Sequence, residues 1–404
     1  MKGKQARTNS GLWLYDMERI KIGEVCDILN GYAFKSEKYV DSGIRIIRIA
    51  NVQKGYIEDN SPAFYPYDSS GLEKYILEEG DLLMSLTGNV GRVAILDKAF
   101  LPAALNQRVA CLRMKGHTVS KKYLFHLLNS DFFEQQCIHS SKGVAQKNMS
   151  TEWLKEYEIP LYSTDTQNHI IVTLDKLQSI IAHRKQQLEK LDELVKARFV
   201  EMFGDPETNP MGWDKRPLSR IITNANNGMA RRGNDSDGYI VMRLIELQDG
   251  FIDYSNPNRI TLTDIEKKRY RLLENDFLFA RVNGNPENVG RCAVFYDIGE
   301  PVYHNDHIIR VHFNEAFLNG CFASSLFNSV YGKRQMRAQI KTSAGQYTIN
   351  QEGIGAIQAI LPPLSLQEQF ATFVQQIDKS KVAVQKALDE AQLLFNSLMQ
   401  EYFG

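Results

Sequence analysis

Apolar and polar residues alternate along the first third of the chain in short runs broken by glycines. Ile44 to Ile49, Asp81 to Leu86 and Arg92 to Leu96 are rich in Ile, Val and Leu at a period of two. They predict strands, punctuated by Gly31, Gly55, Gly80, Gly88 and Gly91. From Lys121 to Cys137 the period lengthens: Leu124, Leu127, Leu128 and Phe132 fall at helical spacing and predict one short helix beside the strands. The fold class expected for this part is a mixed α+β globule.

Beyond it the period becomes seven. Ile170, Leu177 and Leu191, with Leu174, Ile181, Leu188, Val195 and Met202, fill the two apolar positions of a seven-residue repeat. Near the C-terminus Phe370, Ile377, Val384, Ala391 and Leu398, with Val374, Leu388, Phe395 and Tyr402, do the same. Arg184, Arg198 and Lys381 interrupt the stripes. The span 170–202 predicts a helix about 50 Å long at 1.5 Å per residue. Thr164 with Gln167 and Ser365 with Glu368 have capping-box spacing. Pro160 and Pro362-Pro363 end the preceding globules, while Gly204 before Pro206 closes the first helix and Gly404 the second. A helix with such a seam needs an apolar partner in water.

That partner is suggested by an internal repeat. Ile46-Ile47-Arg48-Ile49 through Gln53 and Gly55-Tyr56-Ile57-Glu58 recurs as Val241-Met242-Arg243-Leu244 through Gln248 and Gly250-Phe251-Ile252-Asp253. Glu79-Gly80-Asp81-Leu82-Leu83 recurs as Glu274-Asn275-Asp276-Phe277-Leu278, and Asn89-Val90-Gly91-Arg92 as Asn288-Val289-Gly290-Arg291. Gln146 matches Gln346, and Met202-Phe203-Gly204 matches Tyr402-Phe403-Gly404. Two equal halves in one chain tend to pack about a pseudo-twofold axis, which would lay their long helices antiparallel as a coiled coil. The expected layout is a tail (1–18), a globule (19–162), a central helix (163–204), a linker (205–213), a second globule (214–362) and a C-terminal helix (363–404).

Composition narrows the class. Hydrophobic residues make up 43% of the 404, enough to bury real cores. The 48 basic and 48 acidic side chains cancel, so any nucleic-acid contact must be a local basic face. Cys26, Cys111, Cys137, Cys292 and Cys321 form no CxxC pair, and buried free thiols are expected. The polar, basic segment Met1 to Ser10 is followed by no apolar core of a signal peptide, and no stretch is apolar enough to span a bilayer. A cytoplasmic location is expected.

Globule, long helix, Phe203-Gly204-Asp205-Pro206 linker, globule, long helix resembles the layout of type I restriction–modification specificity subunits. So do the Gly80 to Ser85 run, the Asn106-Gln107 pair and the Pro362 to Gln369 run. The resemblance spans nearly the whole chain. It implies two target-recognition domains, each reading one half of a bipartite site on double-stranded DNA, with the helices fixing the spacing. It also implies two modification (methyltransferase) subunits docked on the helices, and restriction (motor and nuclease) subunits as further partners. The chain itself is then a non-catalytic subunit with no cofactor and no membrane contact.

Sequence reading needs side chains that pair with base edges, such as Arg with guanine and Asn or Gln with adenine. Near the glycine turns the first globule offers Lys35, Arg45, Asn51, Thr87, Asn89, Arg92, Asn106, Gln107, Arg108, Lys142, Gln146 and Lys147. The second offers Asn227, Arg231, Arg232, Arg281, Asn283, Asn285, Asn305, His307, Lys341, Ser343, Gln346 and Tyr347. The segments Ser140 to Asn148 and Lys341 to Asn350 resemble the family's loop near the end of each recognition domain. Arg231-Arg232, in a loop with Gly228 and Gly233, is the foremost candidate for a DNA contact. Arg48 and Arg243, between apolar neighbours, read as structural.

No Walker A loop, Gly-rich cofactor fingerprint or Asn-Pro-Pro-Tyr-type methyltransferase motif is found; Asn209-Pro210, Asn256-Pro257 and Asn285-Pro286 lead elsewhere. Asp253, Glu266 and Lys268 stand in a nuclease-like order but read as an ordinary charged hairpin. His304, His307 and His312 fit no common zinc spacing and read as surface or loop histidines. Two alternatives remain: the recognition subunit of a related, type IIB-like system, and a coiled-coil adaptor that binds no DNA.

Overall fold

The computed structural model describes residues 18–68, 71–141, 148–343 and 345–404. The chain divides into two compact units. Unit 1 is Met1–Lys185 with Lys386–Gly404, and unit 2 is Gln186–Gln385. Each unit thus holds one globule together with a part of both long helices.

In unit 1 a four-stranded antiparallel sheet runs in the order Cys26–Asn30, Val109–Met114, Leu82–Ser85, Val93–Ile95. A second sheet runs Phe64–Tyr65, Ile44–Ile47, Ala103–Leu105, Ile76–Leu77, with Ile44–Ile47 parallel to Ala103–Leu105. The strands at 82–85 and 109–114 are buried almost throughout, so their residues are apolar on both faces rather than alternating. The region 121–137 is two helices, Lys121–Leu128 and Asp131–Ser140. The single helix expected there is broken because Ser130 caps the second, its Oγ accepting the Phe133 N–H at 3.1 Å.

Unit 2 is built in the same order. Its antiparallel sheet runs Ile222–Asn227, Ile308–Phe313, Phe277–Ala280, Cys292–Val294, and its second sheet runs Arg259–Ile260, Tyr239–Met242, Val302–His304. Tyr239–Met242 is parallel to Val302–His304. A third, small sheet has no described counterpart in unit 1: Val282–Asn283, Gln346–Thr348, Lys341–Ser343.

The long helices are Thr164–Phe203 and Leu364–Phe403, each 40 residues, or about 60 Å. Within unit 1 the end of the C-terminal helix meets the start of the central one. Met399, Tyr402 and Phe403 share a core with Ile170 and Leu174, and the Tyr162 hydroxyl donates to the Tyr402 carbonyl at 3.2 Å. Within unit 2 Phe199 and Phe203 of the central helix pack on Phe370 and Phe322 with ring centroids 4.7–5.5 Å apart. The polar breaks in the stripes are partnered: Lys381 binds Asp192 at 2.6 Å, and Arg198 pairs with Glu201 and lies over Phe373.

The helix starts differ from the capping boxes expected. Ser163 precedes the central helix and its Oγ takes the Thr166 N–H. Gln167, instead of reaching back to cap, is buried. Its amide donates to the carbonyls of Thr118 and Tyr162, and its oxygen accepts the Ser120 N–H. Gln367, not Glu368, repeats this with Phe317, Pro362 and Asn319. Each long helix is thereby fastened to its own globule by one buried glutamine that satisfies three backbone groups. Gly204 ends the central helix in the left-handed region at φ 75°.

Candidate nucleic-acid interface

Several of the candidate residues lie at or against one turn that recurs in both units. In unit 1 Asn106 turns the chain: its Oδ1 accepts the Arg108 N–H, its carbonyl accepts the Val109 N–H, and the Gln107 N–H donates to the Tyr32 carbonyl at 2.9 Å. In unit 2 Asn305 does the same for His307 and Ile308, and the Asp306 N–H donates to the Met229 carbonyl at 3.0 Å. Glycine is required beside each turn. A Cβ on Gly31 would lie 2.2 Å from the Asn106 carbonyl oxygen, and one on Gly228 2.2 Å from that of Asn305. The backbone of the two turns is alike; the side chains at their tips are not.

In unit 1 the tip carries Gln107 and Arg108, both exposed. Among the described residues their side chains make no hydrogen bond or ion pair, and neither does that of exposed Lys35. Thr87 bridges to Asn148, and Asn89 is exposed beside it. Lys142, Gln146 and Lys147 lie outside the described residues.

In unit 2 the tip is crowded with charge. Arg232 donates to Asp306 Oδ1 at 2.7 Å, to the Ala230 carbonyl at 2.8 Å and to His307 Nε2 at 3.2 Å. Arg281 donates from its guanidinium to the Asp306 carbonyl at 3.1 Å and from its backbone to the His307 carbonyl at 2.7 Å. Leu86 holds the same strand position as Arg281 in unit 1, where its N–H reaches the Arg108 carbonyl. The small sheet extends the row: Asn283 pairs with Tyr347, and Ser343 with Gln346. Lys341 and Gln346 are exposed there, and their side chains have no partner among the described residues. Asn285 caps the short turn after it, and exposed Asn227 accepts from Gln351.

Arg231 is held by Glu266, Nε at 3.1 Å and a terminal nitrogen at 2.9 Å, with the Thr261 carbonyl at 2.6 Å. Glu266 completes a capping box with Thr263 at the start of the helix Asp264–Tyr270, so the charged hairpin expected here is a capped helix. The Arg231 guanidinium, then the Thr263 N–H, hold the Glu266 carboxyl down to about 2.

Four candidates have work inside the fold. Asn51 is buried, its amide donating to the Glu58 carbonyl and to Asp59 and its oxygen accepting the Arg48 N–H. Arg45 pairs with Asp59 and lies over the Phe64 ring. Arg92 bonds to Gln53, as Arg291 bonds to Gln248 in unit 2. Asn305 is buried as the turn former. Arg243, read as structural, pairs with buried Glu246 at the position Asn51 holds in unit 1.

Among the histidines, His304 is no surface residue. It is fully buried at the end of a strand, and desolvation pushes it down to about 4. His312 faces the buried carboxylate of Asp276. The five cysteines are free. Among the described residues no helix is long and apolar enough to cross a membrane.

Sequence reasoning missed Tyr32, which is 39% exposed beside Gln107 with Tyr75 and Phe34 against its ring. Its position directly after Gly31 was the available signal. It also missed Asp306, and it placed Glu266 only in a charged hairpin; both carboxylates take their part from the arginines that the fold brings to them.

Residues 15–193 match the family model of the type I restriction modification DNA specificity domain. Along 94% of its length the chain is similar to the specificity subunit of the StySPI type I restriction enzyme of Salmonella potsdam, 26% identical over 397 residues and covering 86% of that protein. It is 21% identical over 398 residues to the EcoKI specificity subunit of Escherichia coli strain K12, again covering 86% of it. In fold it is similar to the S subunit of a type I restriction-modification system from M. genitalium, with a TM-score of 0.57, 15% identity and 96% of both chains covered.

Proposed function

We propose that this chain, which belongs to the family of type I restriction–modification specificity subunits, is the non-catalytic DNA-reading subunit of such a complex. Each unit reads one half of a bipartite duplex site. The long helices pair antiparallel, fix the spacing between the half-sites and dock the modification subunits. Restriction subunits complete the assembly.

The observation that carries this reading is the pair of turns at 106–108 and 305–307. A common backbone presents Gln107 and Arg108 in one unit and Asp306 and His307 in the other. One scaffold with two different sets of tip side chains is what two readers of unlike half-sites require, because sequence is read through hydrogen bonds at base edges and register through phosphates. Helices of about 60 Å are long enough to hold two readers one turn of B-DNA apart, about 34 Å.

Sequencing the methylated bases in a host that carries this chain with its modification subunit tests the reading. Adenine methylation at a split site is expected, and methylation of a continuous site contradicts it. Inserting four residues between Gln178 and Leu188 is expected to lengthen the spacer and leave both half-sites intact.

A further inference from the structure

Unit 2 carries its two loop arginines as ion pairs. The Arg231 side chain is 45% exposed and Glu266 behind it 18%; the Arg232 side chain is 52% exposed and Asp306 27%. Each guanidinium therefore stands at the surface with a less exposed carboxylate at its back, and each pair has no net charge.

DNA binding has two terms that respond differently to such pairing. Attraction to phosphates grows with the number of cations that displace counterions, and it is blind to sequence. Base-edge recognition needs donors held in a fixed direction. A paired arginine keeps donors: among the described residues Arg231 commits, of its five N–H groups, only those on Nε and one terminal nitrogen, and Arg232 leaves Nε uncommitted. Pairing thus removes the first term while preserving part of the second.

We propose that Glu266 and Asp306 are specificity-determining residues of unit 2, neutralising Arg231 and Arg232 so that the loop engages its site without adding to sequence-blind attraction. This rests on the reading of the chain as a DNA-reading subunit. The acids follow the arginines. The Asp306 carboxylate has Arg232 as its one side-chain partner among the described residues. In unit 1 the same position is the uncharged Gln107, and among the described residues no arginine side chain is paired with it. The equal numbers of acidic and basic residues in the whole chain fit a protein that does not rely on bulk positive charge.

The test is the salt dependence of duplex binding by the full chain, measured on a duplex that lacks the selected site. Glu266→Gln and Asp306→Asn are each expected to steepen the slope of log Kobs against log salt by about 0.9, the effect of one released cation, and the double variant by roughly twice that. The preference for the site over other duplexes falls several-fold with it. Asp214→Asn, which frees Arg216 elsewhere in unit 2, is expected to leave the slope unchanged. A variant lacking both pairs (Arg231→Ala, Glu266→Gln, Arg232→Ala and Asp306→Asn) covers the case in which a lone arginine disturbs the loop. Its slope is expected to stay at the wild-type value while affinity for the site drops. Unchanged slopes in folded Glu266→Gln and Asp306→Asn variants overturn the inference, as does a shallower slope once both pairs are gone. A wild-type chain that prefers no duplex over another ends the functional reading itself; unchanged slopes in a chain that does prefer one end this inference alone.

Discussion

The turn at 106–108 in unit 1 and the turn at 305–307 in unit 2 share their backbone bonds and differ in everything they display. Unit 1 shows an uncharged glutamine and an arginine with no partner among the described residues; unit 2 shows an aspartate, a histidine and two arginines tied to carboxylates. The supporting parts are kept. Asp81 and Asp276 each accept an N–H three residues back, Gln53 and Gln248 each take an arginine, and Gln167 and Gln367 each fasten a helix. Even an exchanged pair keeps its place. Lys54 binds Glu134 in unit 1, whereas in unit 2 Asp249 binds Lys333 with the signs reversed. The lesson is that hydrogen-bonding geometry maintains the scaffold while the side chains displayed at the two turns differ.

The comparison can be broken at its supports. Gln167→Leu and Gln367→Leu each leave three backbone groups without their partner, so each is expected to cost about 3–5 kcal/mol. Denaturant titration should show losses that agree within about 1 kcal/mol between the two units. A large loss at one glutamine only would mean that the shared bonds are not equivalent.

Gly31→Ala and Gly228→Ala drive a Cβ into a carbonyl oxygen. Each is expected to cost about 3 kcal/mol by thermal melting, and to impair its own half-site alone. A neutral Gly228→Ala would contradict the close approach on which the turn depends.

Acid should separate the units. Burial holds His304 neutral with its pKa lowered from about 6.5 to about 4, whereas Leu105 has the same place in the parallel strand pair of unit 1. A histidine with a depressed folded pKa stabilises fully above its unfolded pKa. That contribution is lost as pH falls toward the folded value, here between about 6.5 and 4, to a total of about 3 kcal/mol. His304→Leu is expected to remove this acid-side loss from the melting curve of unit 2. A wild-type melting temperature that stays flat down to pH 4 would refute the burial argument. Burial also lowers the His126 pKa in unit 1 against the pull of Asp175, so some acid sensitivity is expected to persist in the variant.

The smallest effect sharpens the comparison instead. Lys54→Asp is expected to cost about 0.5 kcal/mol, and adding Glu134→Lys to recover most of it by copying the arrangement of unit 2. No recovery would mean that the exchanged pair is incidental.

The sequence carried much of the architecture because its periods are clean. The seven-residue stripe from Ile170 to Met202 cannot be mistaken for strand chemistry, and the repeated Asn-Val-Gly-Arg run sets the register between halves. It misled where one residue decides. Ser130 splits a helix whose apolar spacing runs on, and Gln167 has cap spacing but leaves to bind the globule. The candidate site was less legible. Asn51 and Asn227 look alike as letters near glycines. One is buried with its amide spent on Glu58 and Asp59, and the other is exposed. Which is which depends on contacts that local pattern does not contain. The carboxylates facing Arg231 and Arg232 lie 35 and 74 residues away along the chain, too far for any motif to join them.

Mapping the methylated site of a complex carrying Gln107→Ala and Arg108→Ala is the most direct measurement. The account predicts that one half-site loses its base preference while the other half-site and the spacer length stay as in the wild type. A change in both half-sites, or in the spacing, would contradict it.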